Sequence, residues 1–195
     1  MGIYLNPGNE NFKEIVSREI YVDKTMLIRD VNAIMERGNK YICISRPRRF
    51  GKTIAQNMLT AYYSKGCDSR ELFSGYKIEQ ESSFEKYLNK YNVIKIDMNS
   101  EYQSIEDKDV LIKSITDSIK EEMRAAFPQI MLDDNDTLAR SIQKIHYGTG
   151  ETFIVIIDEY DVLVREQASQ KLFDDFLSFL NGLLKSDTLR PAISL

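Results

Sequence analysis

Cys43-Ile44-Ser45-Arg46-Pro47-Arg48-Arg49-Phe50-Gly51-Lys52-Thr53 joins an apolar run, Tyr41 to Ile44, to a segment with helical patterning. Its Gly-Lys-Thr end is the phosphate-gripping half of a P-loop, placed where a strand turns into a helix. At such a junction free backbone N–H groups, the positive end of the helix dipole and a lysine all face one anion. The generic pattern has a glycine five positions before Gly51, and Arg46 stands there instead. The motif is therefore imperfect, and its reading needs a second signal elsewhere in the chain.

That signal is Phe153-Ile154-Val155-Ile156-Ile157-Asp158-Glu159, an apolar, mostly β-branched run ending in adjacent carboxylates. A strand of this kind delivers its last residues to the carboxyl edge of a parallel sheet, where a P-loop also lies. In P-loop enzymes an aspartate there holds magnesium, and a glutamate after it orients the attacking water. The two motifs, in this order and on these elements, support each other.

Between and around them, strands alternate with helices. A helix is expected from about Asp23, as N-cap, to Arg37, with Leu27, Ile28, Val31, Ile34 and Met35 as its apolar stripe and Gly38 as its stop. Further helices are expected over Lys52 to about Ser64 and Ser83 to Asn89. Leu111, Ile115, Ile119 and Met123, spaced by four, mark another that Pro128 ends. Leu138, Ile142 and Ile145 mark a helix after the acidic turn at Asp133 to Asp136. Leu172, Phe173, Phe176, Leu177, Leu180 and Leu184 mark the last. A strand over Val93 to Met98 joins Tyr41 to Ser45 and Phe153 to Ile157. The pattern predicts an α/β fold with a mainly parallel sheet, the three-layer sandwich of P-loop NTPases. Leu189-Arg190-Pro191-Ala192-Ile193-Ser194-Leu195 reads as a turn entering a strand that is barely begun, so the sheet is expected to be truncated at its C-terminal end.

The chain has 195 residues, 43% apolar and 29% charged, and a net charge of −4. These values suit one ordinary domain and give no electrostatic case for general nucleic-acid binding. Arg46, Arg48, Arg49 and Lys52 form a basic cluster whose position favours phosphate over duplex DNA. No apolar run approaches a membrane span, and Met-Gly-Ile-Tyr-Leu-Asn-Pro has no signal-peptide pattern. Cys43 and Cys67 are too few for a disulfide framework or a metal site, which points to a reducing cytoplasm. Cys43 is expected to face the core.

Taken together, Tyr21-Val22-Asp23-Lys24-Thr25, Ser45-Arg46-Pro47-Arg48-Arg49-Phe50-Gly51-Lys52-Thr53, Glu71-Leu72-Phe73-Ser74-Gly75, Ile96-Asp97 and Ile157-Asp158-Glu159-Tyr160-Asp161 resemble the bacterial AAA-ATPase-like family. These motifs span nearly the whole chain, and family members carry an arginine where Arg46 stands. The resemblance implies one P-loop domain over 1–195, with a lead-in segment and helix over 1–38 and a nucleotide-binding core over 39–195. It implies ATP and Mg2+ as ligands and hydrolysis to ADP and phosphate. A PD-(D/E)XK nuclease-like domain often follows the ATPase in such proteins. The alternative is a nucleotide-gated regulatory or interaction module with little hydrolysis.

Nucleotide contacts are expected from Arg48, Arg49, Phe50, Gly51, Lys52, Thr53 and Ile54, with Lys52 reaching the β- and γ-phosphates. Thr53 and Asp158 are the expected magnesium residues and Glu159 the general base. No guanine-reading Asn-Lys-x-Asp string occurs, which favours adenine. Two readings stand for Arg46, Arg48 and Arg49: neutralising phosphate, here or in a neighbouring subunit, or pairing with the acidic strand end. Asp97 is read mainly as structural. Asp23, Lys24 and Thr25 read as a helix start, with proximity to the nucleotide as the alternative. His146, the single histidine, reads as a helix-end residue.

Overall fold

The computed structural model describes residues 2–38, 41–44, 50–184 and 189–194, the last of these as backbone alone. In chain order the elements are α1 (Glu10–Val16), α2 (Met26–Glu36), β1 (Tyr41–Cys43), α3 (Lys52–Tyr63), α4 (Phe84–Tyr87), β2 (Asn92–Asp97), α5 (Met98–Ser104), α6 (Leu111–Ala126), α7 (Leu138–Thr149), β3 (Phe153–Asp158), α8 (Val162–Arg165), α9 (Gln170–Leu184) and β4 (Leu189–Ser194). Among the described residues the four strands form one parallel sheet in the order β1-β4-β3-β2.

Parallel pairing requires crossovers, and the helices that make them cover both sheet faces. All six residues of β3 are buried, as its unbroken apolar run demands. Ile154 and Ile156 join Val93 of β2 in a core with Met58, Leu59 and Tyr62 of α3 and Ile28 and Val31 of α2. Phe153, Val155 and Ile157, with Ile94 and Ile96, face the opposite core, built on Leu111, Ile115, Ile119 and Met123 of α6. Ile142 and Ile145 of α7 and Leu172, Phe176 and Leu183 of α9 complete that side. The last helix turns differently from the expected stripe: Leu183 is buried and Leu177 is exposed. The segment before α1 covers an edge of the sheet. Leu5 bridges Ile94 in antiparallel fashion, and the Glu122 carboxylate accepts from the N–H groups of Ile3, Tyr4 and Leu5.

The last strand is longer than expected. Leu189–Ser194 is a six-residue strand, and it fills the slot between β1 and β3. Its backbone registers Tyr41 with Ala192 and Cys43 with Ser194 on one side, and Ile157 with Ser194 on the other. A strand last in sequence thus joins the one leading into the Gly-Lys-Thr segment to the one carrying Asp158.

α3 is anchored at its far end by Asn89, which sits at φ 53. Its Nδ2 donates to the carbonyls of Ala61 (3.0 Å), Tyr62 (3.3 Å) and Ser64 (2.8 Å), groups that a helix C-terminus otherwise leaves bare. Its Oδ1 accepts from Ser69 N at 3.1 Å. An alanine there loses the cap and retains the left-handed backbone without asparagine's tolerance for it, at a cost of about 2–3 kcal/mol. Urea denaturation of Asn89→Ala is expected to show that loss, and Asn89→Gly a smaller one, because glycine keeps the backbone conformation.

Candidate functional site

Gly51 opens α3 in the left-handed region, at φ 79 and ψ 30. The first intrahelical bond runs from Ala55 N to Gly51 O at 3.0 Å, so the N–H groups of Lys52, Thr53 and Ile54 precede the helix's own ladder. A side chain at Gly51 would be strained and would displace the end of Lys24. The backbone angle disfavours it, and an added Cβ would lie 2.7 Å from Lys24 Nζ. Lys24 reaches this position from the turn before α2 and donates to the Phe50 carbonyl at 3.0 Å. The two readings of its motif therefore divide by residue. Thr25 is the N-cap of α2 and Asp23 accepts from its N–H at 2.8 Å, whereas Lys24 leaves the turn for the start of α3. The expected N-cap at Asp23 thus moves to Thr25.

Beside Lys24 lies a cavity of about 400 Å³. Lys24, Gly51 and Lys52 line it together with Leu27, Ile44, Phe50 and Ala55, so cations meet an apolar wall. Ser45, Arg46, Pro47, Arg48 and Arg49 fall outside the described residues, and with them the expected contacts of Arg48 and Arg49.

Thr53 is the second residue of the same helix, and its Oγ1 donates to Asp158 Oδ2 at 3.2 Å. Asp158 is buried, with 3% of its surface exposed. Its Oδ1 accepts from Glu159 N at 2.8 Å, and the Gln56 side chain also hydrogen-bonds to it. Burial nevertheless pushes its carboxyl above the ordinary value, and neighbouring Asp97, its register partner on β2, adds to the rise. Asp97 is itself occupied as the N-cap of α5, accepting from Asn99 N at 3.1 Å and Ser100 N at 3.0 Å. Its structural reading holds.

The sequence reading passed over Lys95. It lies two residues before Asp97, on the same side of β2, and its Nζ donates to Asn57 Oδ1 of α3 at 2.5 Å. Burial lowers its pKa while Asp158 and Asp97 work against the drop. A lysine flanked by Ile94 and Ile96 in a buried strand was the available clue. Glu159, adjacent to Asp158, is tied to a different element. It adopts φ 50, rare for a glutamate, and its Oε2 pairs with Arg165 Nη1 of α8 at 2.7 Å. Arg165 Nη2 donates to Asn99 Oδ1 at 2.9 Å. Cys43 is exposed rather than core-facing, with Sγ 3.6 Å from the Tyr160 hydroxyl. His146 closes α7 as expected, its Nδ1 lying 2.8 Å from the Glu151 carbonyl.

Chemically, the site offers an anion-ready helix start, two lysines, and a hydroxyl joined to a buried carboxylate. Among the described residues no group of three or more His, Cys, Asp or Glu side chains could hold a metal by itself. A hydroxyl–carboxylate pair beside a phosphate cradle fits Mg2+, which takes few protein ligands and completes its shell with water and phosphate oxygens.

Asp158 sets a pH dependence whose sign is fixed. Above the ordinary value of 3.8 the unfolded chain has lost this proton and the folded chain still holds it, so stability falls as pH rises toward the raised folded value. Above the raised folded value the whole penalty is present. Asp158→Asn is expected to raise the melting midpoint at pH 7, with the gain vanishing below the ordinary carboxylate range; a midpoint unchanged or lowered at pH 7 contradicts this.

Among the described residues no helix is long and apolar enough to cross a membrane. Comparison with curated proteins and with solved structures returned no match. Comparison with protein families matched residues 7–189 to the family described as Predicted AAA-ATPase, the AAA-ATPase-like family. That family carries a P-loop fold and a nucleotide, in agreement with the parallel sheet and the Gly-Lys-Thr helix start. The chain belongs to the predicted AAA-ATPase family.

Proposed function

We propose that the chain, one P-loop domain of three layers over 1–195 with its nucleotide-binding core in 39–195, binds Mg2+–ATP at the start of α3 and hydrolyses it to ADP and phosphate. The observation that carries this reading is the 3.2 Å hydrogen bond between Thr53 Oγ1 and Asp158 Oδ2. It joins the helix start expected to cradle phosphate to the strand end expected to hold the metal.

In this reading the N–H groups of Gly51, Lys52, Thr53 and Ile54 face the phosphates, and Lys52 reaches the β- and γ-phosphates. Arg48, Arg49 and Phe50 lead into that cradle. Lys24 adds a cation at the mouth of the cavity, whose apolar wall of Leu27, Ile44 and Ala55 suits the nucleoside. Thr53 and Asp158 would hold magnesium, which when bound neutralises charge on the phosphate oxygens. Glu159 accepts the proton of the attacking water as the new oxygen–phosphorus bond forms, and the bond to the leaving ADP oxygen breaks.

One observation favours the alternative of a nucleotide-gated module with slow turnover. Glu159 is held in an ion pair with Arg165 rather than standing ready. Kinetics separate the two readings. If the chain is an ATPase, Glu159→Gln retains nucleotide binding and loses about 10²–10⁴-fold in turnover. Lys52→Ala is expected to weaken binding of a fluorescent ATP analogue. Turnover by Glu159→Gln equal to the parent's rules out Glu159 as the base. Tight binding without phosphate release by the parent supports the gated module.

A further inference from the structure

We propose that Arg165 and Asn99 form a latch that holds Glu159 away from the water it activates, so that hydrolysis requires its release. This inference rests on Glu159 being the base. The adjacent carboxylates are tied to different elements: Asp158 to Thr53 of α3, and Glu159 to Arg165 of α8. The Glu159 oxygen facing the guanidinium takes a charge-assisted hydrogen bond at 2.7 Å and is not free to take a proton from water.

The latch has a fixed half and a movable half. The guanidinium fork holds Glu159 Oε2 with Nη1 and Asn99 Oδ1 with Nη2. Asn99 is itself placed by Asp97, which caps α5 and accepts from the Asn99 N–H. Arg165 also lies 3.4 Å from Glu166 Oε1 and 3.7 Å from Asp161 Oδ1. When Glu159 leaves, Arg165 keeps an amide and two carboxylates as partners, so no stranded charge opposes the movement. Both side chains of the pair are about a quarter exposed, at 26% and 27%, and water can solvate the departing carboxylate. The left-handed backbone at Glu159 lies outside the regular strand geometry of β3, so this residue can turn without unzipping the sheet. Arg165 is a positioning residue: it acts on the water only through Glu159.

The test compares ATP turnover and nucleotide affinity in the whole chain. Arg165→Met is expected to raise kcat about two- to five-fold, the range that one partly exposed ion pair represents. KM and the affinity for a fluorescent ATP analogue are expected to stay within about twofold of the parent, because Arg165 is not among the residues expected to contact the nucleotide or the metal. Arg165→Lys is expected to release Glu159 in part, since an ammonium cannot serve Glu159 and Asn99 with one planar fork. Asn99→Ala loosens the same latch from its other side and provides a second folded variant. Adding Glu159→Gln to Arg165→Met is expected to abolish the gain. A kcat in these latch variants equal to or below the parent's overturns the latch, whatever the parent's own rate. Undiminished turnover by Glu159→Gln alone instead overturns the assignment of the base.

Discussion

The hydrogen bond from Thr53 to Asp158 is the contact on which the arrangement of this molecule turns. It ties the first turn of α3 to the last residue of β3, across the edge where both elements end. Asp158 is buried there at a cost that its partners only partly offset, since its carboxyl remains raised despite the bonds from Gln56, Glu159 N and Thr53. A carboxylate kept in such a place stabilises nothing that an amide could not. A cation arriving there would balance its charge, which is the role proposed for this pair.

The sheet makes that contact possible. β1 and β3 do not pair with each other; β4 lies between them, so one strand width separates the strand leading to Gly51 from the strand ending at Asp158. All strands run the same way, and the chain therefore leaves β1, β2 and β3 at a common edge. At that edge the start of α3, the α5 cap at Asp97 and the adjacent carboxylates collect. Asn89 secures the far end of α3, which keeps the helix start in place over Asp158.

Much of this was legible in the residues. β3 was plain because six apolar or edge-placed residues in a row have no amphipathic alternative, and α6 was plain from its four-residue spacing. Other features left weaker traces. β4 was read as barely begun, because Leu189–Ser194 is a short run that carries an arginine and a proline and reads as a turn entering a strand. α5 and α8 span seven and four residues, too short for a hydrophobic period to register. Lys24 was read as part of a helix start, since nothing local says that its side chain crosses to Phe50. Arg165 belongs to no motif, and its link to Glu159 exists only because a left-handed turn and one short helix bring them together. The core was thus readable from periodicity, whereas the contacts that restrain the site come from turns and short helices.

The central claim is that Thr53 and Asp158 hold magnesium for a nucleotide at the start of α3, and thermal unfolding with the ligands added singly and together tests it most directly. Mg2+ and ATP together are expected to raise the melting midpoint more than either alone. At about 100-fold excess over Kd the gain is about 2.7 kcal/mol, or roughly 5–10 °C for a chain of this size. Asp158→Asn is expected to lose the magnesium-dependent part of that shift. No shift with Mg2+–ATP, or a full magnesium-dependent shift in Asp158→Asn, would contradict the account.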